Sequence, residues 1–242
     1  PALYDQYGNL NWENGTFNNP LRVLKGEFLA KTYDLVSNLM LSYRLLPNME
    51  IKSNFGFTDL KHQESSSKPS TVYDPAYELG PEYSLISIGN TTRKSWIVEP
   101  QINYHLKWQN RLKVDVLAGS TFQQQTGNQL IQRARGFTSN SLINNLAAAS
   151  EVTVDNDENS VYKYQAFFGR INLNFNSKYI LNLTGRRDGS SRFGPGKQFA
   201  NFGAIGAAWL FSEESFFFFF FLSFGKLRAS YGITGSDQIG NF

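Results

Sequence analysis

From Arg93 to Trp108 the chain alternates without interruption. Trp96, Val98, Pro100, Ile102, Tyr104, Leu106 and Trp108 form one series; Ser95, Ile97, Glu99, Gln101, Asn103, His105 and Lys107 form the other. Successive side chains of a strand point to opposite faces, so one face of this segment is apolar and the other almost wholly polar. A strand this long, with aromatic residues at both ends of its apolar face, suits a sheet with lipid on one side and water on the other.

The same period recurs along the chain. Tyr33, Leu35, Leu39, Leu41, Tyr43 and Leu45 fall opposite Asp34, Asn38, Ser42 and Arg44. After the turn at Leu46-Pro47-Asn48-Met49, Ile51, Phe55 and Phe57 oppose Lys52, Asn54 and Thr58. Gln109-Asn110 turns the opening strand into a fourth, with Leu112, Val114, Val116, Ala118 and Phe122 opposite Lys113, Asp115 and Gln123. A fifth is expected over 161–175, and Asn176-Ser177-Lys178 turns it into a sixth with Tyr179, Leu181 and Leu183 on its apolar face. A seventh carries Ile205, Ala207, Trp209 and Phe211, and an eighth Leu227, Ala229, Tyr231 and Ile233. Residues 1–27, 61–92 and 126–160 read as long loops, the last with a short helix near Ser141–Ala149, and Gly189–Lys197 reads as a Gly-rich loop.

Short and long connections therefore alternate. The pattern predicts an all-β, antiparallel meander of about eight strands, with short turns on the periplasmic side and long loops outside if it is a transmembrane β-barrel. The aromatic residues agree. Tyr43, Tyr104, Trp108, Phe175, Tyr179 and Trp209 lie near short turns, and Tyr33, Phe57, Trp96 and Phe122 toward the long loops. Trp96 and Tyr104 are roughly 26 Å apart along a strand, or about 20 Å of bilayer height at the usual tilt.

Composition narrows the alternatives. Aromatic residues make up 15% of the 242 residues, with Phe alone at 21, yet the mean hydropathy is −0.36. An alternating barrel keeps such a low average, whereas transmembrane helices, which need about 18 clean apolar residues in a run, are excluded. The chain has no cysteine, so disulfides and thiolate metal sites are excluded, and its net charge of +3 is too small to imply nucleic acid. No secretion signal is visible near Pro1, as expected of a processed chain or an internal piece. Both ends would lie on the long-loop side, which reads as an arc cut from a wider barrel. The soluble alternative is a cell-surface carbohydrate-binding or structural β-sandwich, whose apolar face would meet a second sheet. Sandwich strands usually run to about 5–6 residues, and several here are longer. The run Phe216–Phe221 would be an aggregation hazard if exposed; a membrane-dipping segment or a placeholder in the sequence assignment would each account for it.

Specific motifs follow in the second half. Tyr162-Lys163-Tyr164-Gln165-Ala166-Phe167-Phe168-Gly169-Arg170-Ile171-Asn172 precedes Lys178-Tyr179-Ile180-Leu181-Asn182-Leu183-Thr184-Gly185-Arg186-Arg187-Asp188-Gly189-Ser190-Ser191-Arg192-Phe193-Gly194. Asn201-Phe202, Ala208-Trp209, Ser212-Glu213-Glu214 and Leu227-Arg228-Ala229-Ser230-Tyr231-Gly232 come next, and the first half adds Leu41-Ser42-Tyr43 and Ser95-Trp96-Ile97-Val98-Glu99-Pro100-Gln101. Nearly the whole chain closely resembles the SusC/RagA family of TonB-linked outer-membrane transporters of the Bacteroidetes. The resemblance implies a multi-pass barrel in the bacterial outer membrane, of about 22 strands and filled by a plug, of which residues 1–242 would be a partial barrel domain lacking plug and closure. It further implies TonB-driven import of oligosaccharides, other glycans or peptides beneath a SusD-like surface lipoprotein, with TonB engaged through regions outside this chain, no cofactor and no enzymatic activity.

The candidate residues follow from the two faces. An Arg at mid-depth against lipid would cost about 2–4 kcal/mol, so Glu99, Gln101, Arg170, Arg186 and Arg228 are expected on the polar interior, facing water or plug. Arg187, Asp188, Ser190 and Arg192 form a rim motif that would contact plug or substrate, or simply make a turn in which Asp188 pairs with an arginine. Trp12, Tyr73, Tyr77, Tyr83 and Phe137 are the loop aromatics available to substrate or lid. Asp155, Asp157 and Asn159 have calcium-loop spacing but lack the required Gly and the final Glu, so a solvated acidic loop is expected and no metal site. Glu213 and Glu214 are adjacent and face opposite ways in a strand, a poor acid–base pair.

Overall fold

A computed structural model describes residues 1–215 and 223–237; the Phe216–Phe221 run lies outside them. The chain forms one eight-stranded antiparallel sheet in sequence order: β1 Glu27–Leu46, β2 Met49–Lys68, β3 Leu85–Trp108, β4 Leu112–Phe137, β5 Ala149–Phe175, β6 Tyr179–Ser190, β7 Phe199–Trp209 and β8 Leu227–Ile233. The meander is as the alternation predicts. Among the described residues no helix is long and apolar enough to cross a membrane, which says nothing about strands. Among the described residues no second sheet covers the apolar face. Phe167 is 51% exposed, Ile205 48% and Tyr231 73%, and β1 to β5 run to 20–27 residues, far beyond the roughly 5–6 of a sandwich strand.

The short turns have a chemical cause. Gln109 and Asn110 both take positive φ, as do Asn176 and Ser177, the conformation of the two-residue hairpins whose twist matches the flanking strands. Of the loop expected over 1–27, residues 1–26 behave as one, with a Tyr4–Leu10 bridge and short 3-10 turns at Glu13–Gly15 and Pro20–Lys25, while Glu27 already opens β1.

The strands are longer than the apolar pattern shows, and several expectations need correcting. Residues 61–68 belong to β2 and 85–92 to β3, not to a loop. β4 continues to Phe137, and β5 begins at Ala149, so the acidic stretch Asp155–Glu158 is extended strand rather than loop. The helix expected near Ser141–Ala149 is a pair of 3-10 turns, Asn140–Leu142 and Leu146–Ala148. β6 runs through Arg186 to Ser190, so most of the rim motif is strand. β7 stops at Trp209, and Phe211 opens a 3-10 turn.

The extension of β2 is polar on both faces, whereas those of β3 and β4 also carry Ile86, Ala134 and Phe137; polar cross-strand pairs help to hold them. Thr32 Oγ1 meets His62 Nδ1 at 2.8 Å, Asn128 donates to Asn159 at 2.8 Å, and Asn156 donates to Gln129 at 2.8 Å. Arg133 pairs with Asp155 at 2.7 Å, and Arg135 grips both carboxylate oxygens of Glu151. Such pairs contribute only tenths of a kcal/mol to about 1 each, but they favour one register over water-solvated coil.

Compactness divides the chain into two units. One comprises Pro1–Leu35, Asp59–Lys94 and Thr126–Ser160; the other comprises Val36–Thr58, Ser95–Gln125 and Val161–Phe242. The first holds a small loop core in which Ile86, Ala134, Phe137 and Ile143 are buried, with Leu146 and Ala148 packed against them. Beside it the β2–β3 and β4–β5 connections are tied together. Ser84 Oγ donates to Asn140 Oδ1 at 2.5 Å, Asn140 Nδ2 donates to Ser70 Oγ at 3.1 Å, and the Ser70 amide donates to Ser84 Oγ at 2.8 Å. Ser84 is fully buried. Asn140→Ala removes the shared partner, leaves Ser84 and Ser70 short of bonds, and is expected to cost about 1–3 kcal/mol. Amide exchange across residues 69–84 should accelerate accordingly, while that of β6 should not change.

Candidate functional site: the polar wall of β5 to β8

The register of the last strands builds the site. Tyr164 faces Ser190, Ala166 faces Asp188, Phe168 faces Arg186, Arg170 faces Thr184 and Asn172 faces Asn182. These residues share one face, and Phe202, Ala204, Gly206 and Ala208 continue it on β7, with Arg228 and Ser230 on β8. The opposite face is a rectangular apolar field. Its rows are Ile171–Leu183–Ile205, Leu173–Leu181–Ala207 and Phe175–Tyr179–Trp209.

Arg186 organises the upper part of the polar face. Its Nε donates to Asp188 Oδ1 at 2.5 Å, one terminal nitrogen donates to the Tyr164 hydroxyl at 2.5 Å, and the guanidinium lies 5.5 Å over the Phe168 ring. Gly119 makes room for that ring: a Cβ there would stand 2.7 Å from Phe168 Cζ. Asp188 thus pairs with an arginine, as the structural reading of the motif requires. Below Arg186 lies a recess of about 340 Å³ lined by Phe168, Arg170, Thr184 and Phe202. A lower recess of about 440 Å³ is lined by Asn172, Asn182, Arg228 and Ser230. The buried Oδ1 atoms of Asn174 and Asn182 have no hydrogen-bond partner among the described residues. A buried acceptor left unmade costs about 1–3 kcal/mol, so both atoms favour a hydrogen-bond donor on this face.

The rim closes through Asp237, which no motif or parity singled out. Asp237, beyond β8, accepts from the Tyr162 hydroxyl at 2.6 Å and from Ser190 Oγ at 2.8 Å, while Arg192 donates to its carbonyl at 3.1 Å and lies 4.6 Å over the Tyr162 ring. Burial opposes ionisation of Asp237, but the hydrogen bonds from Tyr162 and Ser190 and the Arg192 charge outweigh it and hold the carboxyl below its ordinary value. A depressed folded value means the latch is fully formed above the ordinary carboxylate range and is lost as pH falls through the depressed value. Wild type and Asp237→Asn are therefore expected to differ in amide exchange of residues 234–237 at neutral pH. They should converge only at a pH below the usual Asp titration.

The remaining candidates separate. Glu99 lies on the polar face and accepts from Thr121 at 3.2 Å, and Gln101 lies beside Gly119. Arg187 does not share the face of Arg186. It points to the apolar side above the field, 5.1 Å from the Phe199 ring. Among the loop aromatics Tyr77 is 61% and Tyr83 54% exposed, Trp12 is half-buried, and Tyr73 carries the Lys68 ammonium 4.7 Å over its ring. Phe137 must be withdrawn as a substrate or lid contact, because at 1% exposure it is the centre of the loop core. No group of acidic and histidine ligands able to hold a metal occurs among the described residues.

Comparison with known proteins gives this wall a lineage. No protein-family model matches the chain. The TonB-dependent receptor P26 of Formosa agariphila is 30% identical over 98% of this chain and 24% of its own length. The TonB-dependent receptor SusC of Bacteroides thetaiotaomicron is 27% identical over 92% of this chain and 22% of its own length. The solved RagAB peptide transporter superposes with a TM-score of 0.81 at 21% identity, over 93% of this chain and 25% of that one. The chain thus spans about a quarter of the length of these relatives. The fold is a stretch of the barrel wall of a TonB-dependent receptor. Within that class the chain is similar to SusC and to the solved RagAB transporter.

Proposed function

We propose that this chain is part of an outer-membrane importer that carries oligosaccharides, other glycans or peptides inward, with TonB supplying the drive through parts of the protein beyond this segment. A SusD-like lipoprotein would cover the long-loop side. The chemistry is gated passage, and no residue here is assigned a covalent role. The observation that carries the reading is the two-faced wall. Arg170, Arg186, Arg228 and the unpartnered Asn174 and Asn182 acceptors share one face, while the other is an exposed apolar field ending in Tyr179 and Trp209. A sheet with lipid on one side and a polar filling on the other satisfies both.

On this reading the Asn174 and Asn182 acceptors, with Arg228, meet donors and acceptors of the plug. Arg186, fixed by Tyr164 and Asp188 but 41% exposed, presents its remaining N–H groups to plug or substrate, and Glu99 and Gln101 line the same bore. Tyr77 and Tyr83 are the loop aromatics free to meet the lid or a sugar ring. The relatives are receptors and transporters; SusC and RagAB supply the analogy for a lipoprotein partner, and a peptide is the cargo named for RagAB.

The test is made on the full-length protein. It should remain in the membrane through salt and alkaline washes and require detergent for extraction. In cells lacking the native copy it should restore uptake of one class in a panel of labelled glycans and peptides, and Arg186→Ala should lower that uptake without lowering the amount of folded barrel. Release by an alkaline wash would refute the membrane reading, and a folded barrel that restores no uptake would refute the import reading.

A further inference from the structure

Beyond transport, the outward side of the wall carries a recess that the import reading does not use. It encloses about 360 Å³ among Trp96, Phe122, Gln124, Lys163, Gln165 and Phe199, at the long-loop end of β3 to β7. Strand parity puts these side chains on the apolar side. Phe167 faces Arg187, Gln165 faces Gly189 on the next rung of the same face, and Phe199 is the β7 partner of Gly189. Phe122 meets the Phe167 ring edge-on at 6.0 Å. Lys163 follows Gln165 in the same parity, its amide donating to Ser191 Oγ at 2.9 Å and its carbonyl accepting from the Ser191 amide at 2.9 Å.

The depth of the recess is set by the strand. Gln165 and Phe175 both belong to β5; their separation is about 33 Å along the strand, or about 25 Å of bilayer height at the usual tilt. Phe175 stands in the lower aromatic row with Tyr179 and Trp209. The recess therefore lies at the opposite edge of an apolar band of membrane height, where acyl chains give way to headgroups.

The lining describes the occupant. Its floor is aromatic, with Trp96 42% and Phe199 47% exposed. A Cβ on Gly189 would stand 2.6 Å from Phe199 Cε1, so the glycine gives that ring its place. The side-chain amides of Gln124, Gln165 and Gln198 line the recess and make no hydrogen bond among the described residues. Lys163 lines it directly, and Arg187 lies 5.1 Å over the Phe199 ring. On the register these two cations flank the Gln165–Gly189 rung. Neither makes an ion pair among the described residues. No Asp or Glu lines the recess, and Asp188 is on the other face, engaged by Arg186.

We propose that this recess binds the phosphorylated sugar headgroup of a glycolipid of the outer leaflet. The sugar ring lies over Trp96 and Phe199, its hydroxyls meet the three glutamine amides, its phosphate faces Lys163 and Arg187, and its acyl chains descend from Phe167 over the apolar field. Bare acyl chains would leave these amides and cations against hydrocarbon, at the cost of unmade hydrogen bonds. A glycerophospholipid brings the phosphate, which Lys and Arg hold by charge-assisted hydrogen bonds, but few hydroxyls for amides that each donate and accept.

The inference rests on the membrane reading above, and the experiment separates the two. The full-length protein, freed of lipid in detergent, is titrated with monophosphorylated lipid A and with the same lipid A after enzymatic removal of its phosphate, and bound lipid is counted by native mass spectrometry. The phosphorylated form should be retained about five-fold more tightly per engaged cation. Lys163→Gln with Arg187→Gln should abolish that preference and leave the dephosphorylated form unchanged, whereas Lys226→Gln, at the short-turn end of the sheet, should leave the preference intact. Trp96→Ala should weaken both forms. Equal retention of the two forms, a preference that survives the double substitution, or one lost equally in Lys226→Gln would each overturn the site. Phosphatidylglycerol held as tightly as the phosphorylated lipid A, or complete displacement by inorganic phosphate, would overturn it too. A protein that needs detergent yet shows no phosphate preference sinks the glycolipid site only, whereas a protein soluble without detergent sinks both.

Discussion

Phe137→Ala is expected to be the most costly single substitution in the loop-bearing unit, at about 3–5 kcal/mol. The ring is 1% exposed and is enclosed by Ile86, Ala134 and Ile143, so truncation removes buried apolar area and leaves a cavity in a core with few other members. The loss should appear as local opening. Amide protection should fall across Asn140–Ala148 and at the start of β3, with β6 and β7 unchanged. The same truncation at Tyr77, 61% exposed, should leave stability within about 0.5 kcal/mol. Substrate uptake distinguishes the roles: a folded Tyr77→Ala protein that loses uptake has lost a contact, whereas Phe137→Ala acts through the loops. Equal stability of the two variants would show that the loop core is not where the structure puts it.

Leu183→Arg is expected to destabilise the folded barrel by about 2–4 kcal/mol in a bilayer. Leu183 sits in the row Ile171–Leu183–Ile205 at the middle of the apolar field, too far from either aromatic edge for the guanidinium to reach water readily. Thr184→Arg, one residue along, points to the polar face beside Arg170 and Phe202 and should cost far less. Equilibrium unfolding of both variants of the full-length protein in lipid vesicles checks the pair. A one-residue step that does not change the penalty would mean that the two faces do not see different solvents.

How much was legible in the sequence depended on whether the two faces differed. The lower halves of β3 to β8 have lipid-type residues on one side and polar ones on the other, and there the period of two gave each strand its face. Above the aromatic edge the contrast ends. Asp59 to Lys68 and Asp155 to Ser160 are polar at nearly every position, so nothing in their order distinguished a strand from a loop. Their pairing rests on cross-strand partners such as Thr32 with His62 and Arg133 with Asp155, which are distant in sequence. The candidate site divided in the same way. Arg170, Arg186 and Arg228 fell on the polar face by parity, whereas Arg187 was grouped with a rim motif and lies on the other face because β6 continues through it. Phe137 looked like a free loop aromatic because the residues that bury it come from β3 and the β4–β5 connection.

Sequence alone determined the meander, the polar and apolar faces and the resemblance to SusC and RagA, because strand parity, two-residue turns and short motifs are local properties of neighbouring residues. Tertiary structure decided how far the strands extend, that Ser84 and Asn140 tie the loops, and that Asp237 closes the rim on Tyr162 and Ser190. Those outcomes depend on hydrogen bonds between positions far apart in the chain, and only folding brings such donors and acceptors within reach of one another.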